Sequence, residues 1–132
     1  MPSKYDIQEL TARAVKSATQ FWDYAILIYA KQGIDIGKMP AVIMNPRLTA
    51  TAGRAFNCNT KIDLSCYLMQ KNFNHFHNDT IPHELCHVIA CRKFKSKGHD
   101  AAWYNVVEFL KVNTARCHTL ETMTQAKKKT SK

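Results

Sequence analysis

The residues of this chain that most readily do chemistry are His83-Glu84-Leu85-Cys86-His87. In a helix, histidines four apart lie on one face, so both imidazoles meet one cation while Glu84, beside the first, reaches a water bound to it. Two neutral imidazoles hold Zn²⁺ without cancelling its charge, and a water in an open coordination position has its pKa lowered to about 7. Glu84 then takes that water's proton as it attacks a carbonyl and passes it to the leaving nitrogen. His83 and His87 are thus candidate ligands and Glu84 the candidate catalytic base. The plainer alternative is a helix carrying two hydrogen-bonded histidines.

Catalytic zinc normally has three protein ligands, so this motif is one short. His99 is the best third: it follows a glycine-containing connector, where the next helix can begin and turn a first-turn side chain back towards the metal. Asp100 is the rival, either as an oxygen ligand or as a helix cap and partner for an imidazole. Nitrogen donors suit zinc, which favours His99. His75 and His77 offer another nitrogen pair, but side chains two apart diverge, and both read as loop or capping residues. Cys86 and Cys91 read as buried, inert thiols, and His118 as a packing residue. Tyr104 reads as a half-buried aromatic, with stabilisation of an oxyanion as the alternative.

Several elements must position these groups. Ile7, Leu10, Ala14, Ala18, Phe21, Ala25, Ile28 and Tyr29 recur at mostly three- and four-residue intervals, which predicts a long helix over Ile7 to Ala30 with Gly33 as its stop. Short apolar runs at Pro40–Pro46, Thr49–Phe56 and Lys61–Leu64 predict three strands, the last running into a helix near Cys66. Together they predict a largely antiparallel sheet. Asp79 or Thr80 can cap a helix that tolerates Pro82 in its first turn and continues to about Arg92. A final helix starts near His99 or Asp100, buries Trp103, Val106, Val107 and Leu110, and fades around Asn113. The expected class is α+β, with one domain over residues 1–121 and a basic, disordered tail over 122–132.

The 132 residues suit one domain, and 45% hydrophobic with 22% charged residues excludes wholesale disorder and repeat scaffolds. No apolar stretch approaches the roughly 20 residues of a membrane helix, and no signal peptide is expected. Five cysteines without a Cys-x-x-Cys pair argue against a disulfide framework or zinc ribbon, and for a reducing, cytoplasmic or nucleoid-associated setting. The formal charge of +9 comes from 19 Lys and Arg against 10 Asp and Glu, which favours polyanionic neighbours. Arg92, Lys93, Lys95 and Lys97 lie between the second and third candidate ligands. They form a candidate nucleic-acid-binding rim, with a solvated surface loop as the bland alternative.

From Pro40 to Leu120 the chain resembles the SprT-like, or Spartan-type, metallopeptidase domains. The resemblance rests on Met39-Pro40-Ala41-Val42, Thr51-Ala52-Gly53-Arg54-Ala55 and Ile62-Asp63-Leu64, followed by Pro82-His83-Glu84-Leu85-Cys86-His87. Gly98-His99 with Trp103 four residues on, and Ala115-Arg116-Cys117-His118, complete it. The resemblance implies a minimal zincin-like fold, zinc on His83, His87 and His99, and Glu84 as catalytic carboxylate. It also implies a protein substrate associated with DNA, and an edge strand near Leu64 on which an extended peptide pairs. Asp100 departs from the glycine that often follows the third histidine in the family. The expected function is a zinc-dependent metalloendopeptidase. The alternative from another class is a non-catalytic nucleic-acid-binding or adaptor domain with a structural metal.

Overall fold

A computed structural model of the protein describes residues 6–48, 51–55 and 61–112. Asp6 begins the first element by accepting the backbone N–H of Glu9 at 3.0 Å, which satisfies one of the donors a helix start leaves open. Helix α1 then runs over Ile7–Ala30, the bounds its apolar spacing predicts. Leu10, Ala14, Ala18, Trp22, Ala25 and Tyr29 form its buried stripe. Three of these are alanines, so the helix axis can lie close to what it covers.

Strands β1 (Ala41–Asn45), β2 (Gly53–Ala55) and β3 (Lys61–Ser65) form one sheet in the order β1-β3-β2. It is a mixed sheet, not the largely antiparallel one expected: β1 pairs parallel with β3, and β2 antiparallel with it. The alternation of each strand fixes which side chains face the core, but neighbour order depends on how the connections cross. Here β2 runs back along the far side of β3, so the central strand has the same direction as β1. Leu64 lies on that central strand and is fully buried, so it does not stand on an edge as expected; β1 and β2 are the outer strands among those described.

Ser65 ends β3 and caps α2 (Cys66–Lys71), its Oγ accepting the Leu68 N–H at 3.1 Å. A helical turn, α3 (Phe73–His75), leads through a π-helical segment (Phe76–Thr80) into α4 (Ile81–Phe94). Neither Asp79 nor Thr80 caps α4, contrary to expectation. Thr80 is itself helical, and Ile81 already donates its N–H to Phe76 O, so there is no helix start there to cap. For the same reason His75 and His77 are helical residues and not loop residues.

Helix α5 (Ala101–Phe109) follows a short loop and buries Trp103, Val106 and Val107 against α4, as expected, with Leu110 just beyond it also buried. The core joins the inner faces of α1, α4 and α5 to Ile62 and Leu64 of β3, with Leu68, Met69, Phe76, Ile81, Leu85 and Ile89 fully enclosed. Cys66 and Cys86 are free and buried. Cys91 corrects the expectation of an inert buried thiol: it sits partly exposed in the last turns of α4 and is disulfide-bonded. No described helix is long and apolar enough to cross a membrane. The expected tail, the fading of the last helix at Asn113 and the role of His118 lie outside the described residues.

Helix α4 ends on Lys95 in the left-handed region, φ 58° and ψ 33°, with the Ser96 N–H closing onto Ala90 O at 3.1 Å. A Cβ is disfavoured in that conformation by roughly 1–2 kcal/mol, whereas glycine adopts it freely. Lys95→Gly should therefore raise the unfolding free energy by about 1 kcal/mol in urea titrations, and an unchanged or lowered midpoint would contradict this account of the cap.

Candidate metal centre

Regular winding of α4 stacks His83 and His87 on one face, with ring centroids 5.0 Å apart. The loop before α5 brings in His99, whose Nε2 lies 3.2 Å from Nε2 of His87 and 3.2 Å from Nε2 of His83. All three donor atoms fall within 4.8 Å of one another, so the three histidines form a group that could hold a metal ion. Zinc–nitrogen bonds of 2.0–2.1 Å at tetrahedral angles would place such nitrogens roughly 3.3 Å apart. Hydrogen bonding does not account for the arrangement equally well. A neutral imidazole nitrogen has either one proton or one in-plane lone pair, and His99 Nε2 faces two partners at the same distance. A cation between the three rings uses every lone pair at once.

The loop is built to present His99. The Asp100 carboxylate accepts the Ser96 hydroxyl at 2.7 Å and the backbone N–H groups of Lys97 at 3.0 Å and Trp103 at 3.1 Å. These bonds, the Ser96 hydroxyl foremost, hold its pKa down to about 2. Asp100 is thus the N-cap of α5 and lies outside the group that could hold a metal; its backbone is extended, a conformation open to any residue. The departure from glycine at this position therefore leaves the loop unstrained.

Burial, then the neighbouring His99, pushes His87 down to about 4, with Asp100 acting weakly the other way. Its imidazole is neutral at physiological pH, the form that binds metals. Glu84, adjacent to His83, is 7% exposed, and burial raises its carboxyl to about 8. A dication on the neighbouring imidazoles favours the ionised form and would draw it back down. Burial, then Glu84, pushes the Cys86 thiol far up, which leaves it inert as expected.

Two contacts around the group are not evident from the motif. A Cβ on Gly53 of β2 would stand 3.2 Å from Glu84 Cγ, 3.0 Å from Leu64 Cδ2 and 3.2 Å from the Asp63 carbonyl, so the missing side chain sets how closely strand and helix approach. Trp103, read from its spacing as a core residue, packs against all three imidazoles, with centroids at 4.8 Å from His83, 5.0 Å from His87 and 4.6 Å from His99. The signals were the Ala52-Gly53 pair and the four-residue step from His99 to Trp103. Tyr104 is half-exposed and packs edge-on against Trp103.

The other candidates are placed differently. Arg92 Nη1 donates to the carbonyls of Ile36 at 2.9 Å and Lys38 at 2.8 Å, and the guanidinium lies over Trp22, so it ties the end of α4 to the segment after α1. Lys93, Lys95 and Lys97 are exposed on the last turn of α4 and the loop leading to His99. His77 Nδ1 is 2.7 Å from Ser17 Oγ on α1, and His75 Nε2 is 3.4 Å from Asp79 Oδ2. Neither belongs to the three-histidine group.

The sequence model of the SprT-like family matches residues 27–127, from the end of α1 to beyond α5. No curated protein matches the chain, and no solved structure does.

Gly53→Ala would force β2 and α4 apart or displace Glu84, and overpacking of this kind costs about 1–3 kcal/mol. Denaturant unfolding should register that loss, and a variant of native stability would show that the spacing is not set by Gly53. A divalent transition metal bound by the three imidazoles should raise the melting temperature of the wild type, by the equivalent of about 2.7 kcal/mol at a hundredfold excess over its dissociation constant. His99→Ala should abolish most of that rise.

Proposed function

The chain belongs to the SprT-like family, and on that premise we propose that it is a zinc-dependent metallopeptidase of zincin-like fold, acting on proteins associated with DNA. The observation that carries the reading is the pair of 3.2 Å separations that bring three imidazole nitrogens to one point. Three nitrogen donors with room for a water are the donor set of a catalytic zinc site. Their neutral imidazoles leave the ion's charge undiminished.

In this reading His83, His87 and His99 hold the ion. Zinc, when bound, supplies Lewis acidity that polarises a carbonyl and acidifies a water. Glu84 accepts the proton of the attacking water and returns it to the leaving nitrogen. Its burial keeps bulk water from competing for that proton, and Gly53 holds the outer strand close to it. An extended peptide would add to β2 by backbone hydrogen bonds, which gives orientation without strict side-chain selection. Lys93, Lys95 and Lys97 supply exposed positive charge on the loop that presents His99, and draw the enzyme to polyanions. Arg92 contributes charge to that rim while its guanidinium braces the fold.

Metal analysis of the purified protein, with a peptide-cleavage assay run with and without DNA, tests the proposal. We expect one zinc per chain, and cleavage falling by about 10²–10⁴-fold in Glu84→Gln with zinc content retained. Equal cleavage by that variant would remove Glu84 as the base, and zinc without any cleavage would favour a structural metal in a binding domain. DNA affinity should fall steeply with salt, and replacing Lys93, Lys95 and Lys97 by Gln should flatten that dependence.

A further inference from the structure

We propose that Trp103 is a positioning residue for the metal centre, its indole setting the orientation of the His87 and His99 imidazoles where hydrogen-bonded groups ordinarily do so. The inference rests on the metal reading above. A histidine that binds a metal usually donates its other ring N–H to a carboxylate or carbonyl, and that bond fixes the ring's rotation. Among the described residues, neither His87 nor His99 makes a hydrogen bond through Nδ1; their hydrogen-bonding contacts are the short Nε2 separations within the group. Something else must hold these rings.

Trp103 touches both, and His83 as well. It stacks on His87 at an interplanar angle of 19° and meets His99 nearly perpendicularly at 76°, with His83 tilted at 60°. These three orientations differ because the three Nε2 atoms must converge from different directions. The indole is only 3% exposed, so it also closes one side of the group to water and leaves the side of exposed His99 open. Its Nε1–H has no hydrogen-bond partner among the described residues, although a buried indole usually finds one. Ring contact therefore determines where this side chain sits.

The indole is itself held by the loop that presents a ligand. Asp100 receives the Trp103 backbone N–H and follows His99 directly, so the cap of α5 fixes the histidine and the ring that orients it together. Metal binding draws electron density from the imidazoles, which strengthens their attraction to an aromatic face. The contact therefore favours the loaded form of the rings.

Zinc affinity by chelator competition and the visible absorption bands of the cobalt-substituted protein, measured for Trp103→Phe and Trp103→Leu, test this. Affinity should fall about 10–100-fold in Trp103→Leu, the loss seen when an orienting partner of a metal ligand is removed, with altered cobalt bands. Trp103→Phe keeps an aromatic face but spans fewer rings, and should fall between the leucine variant and wild type. Circular dichroism of the metal-free variants separates this effect from unfolding. If Trp103→Leu does not fold, Trp103→Phe decides: wild-type affinity with wild-type cobalt bands in a folded variant overturns the assignment. Absence of metal uptake in the wild type as well would instead overturn the metal reading, and this inference with it.

Discussion

Three nitrogen lone pairs aimed into one small volume are a demanding arrangement for a protein to maintain. Without a cation they can be only partly satisfied, since the proton on one imidazole serves a single neighbour. The fold therefore has to supply the constraint. Helix α4 fixes the backbone positions of two of the histidines through its regular rise, and the loop tied down by the Asp100 carboxylate fixes that of the third. Each device is local and hydrogen-bonded, so the convergence does not depend on long flexible connections.

The seating of α4 follows from the same need. At its entry, His77 in the π-helical segment meets Ser17 of α1, and at its exit Arg92 reaches the carbonyls of Ile36 and Lys38 beyond α1. The helix is thus attached to α1 and its following segment on either side of His83 and His87. Between these attachments lies an apolar face, Leu85 and Ile89, that is wholly enclosed. A helix fixed at both ends and along its inner face has little freedom to rotate its histidines away from His99.

Glu84 shows the cost of placing a carboxyl beside such a site. Burial raises its pKa to about 8, so the isolated fold disfavours the ionised form that a base requires. Gly53 makes the burial possible by letting β2 approach the helix without a side chain. A cation on the histidines would offset that desolvation and so favour the ionised form of the acid.

The sequence by itself determined much of this. The bounds of α1, the three strand segments and the grouping of His83, His87 and His99 were legible because they depend on spacing within one element or on the donor chemistry of single residues. The contest between His99 and Asp100 was not settled there, because both stand at a helix start; only the hydrogen bonds of the folded loop make Asp100 the cap and leave His99 in the three-histidine group. Tertiary structure also decided that the sheet is mixed, that Thr80 continues a helix and that Arg92 braces α1's following segment. It alone placed Trp103 among the three imidazoles. Periodicity reports which side of an element is apolar, whereas these outcomes depend on which distant groups arrive at that side, and that information is carried by packing.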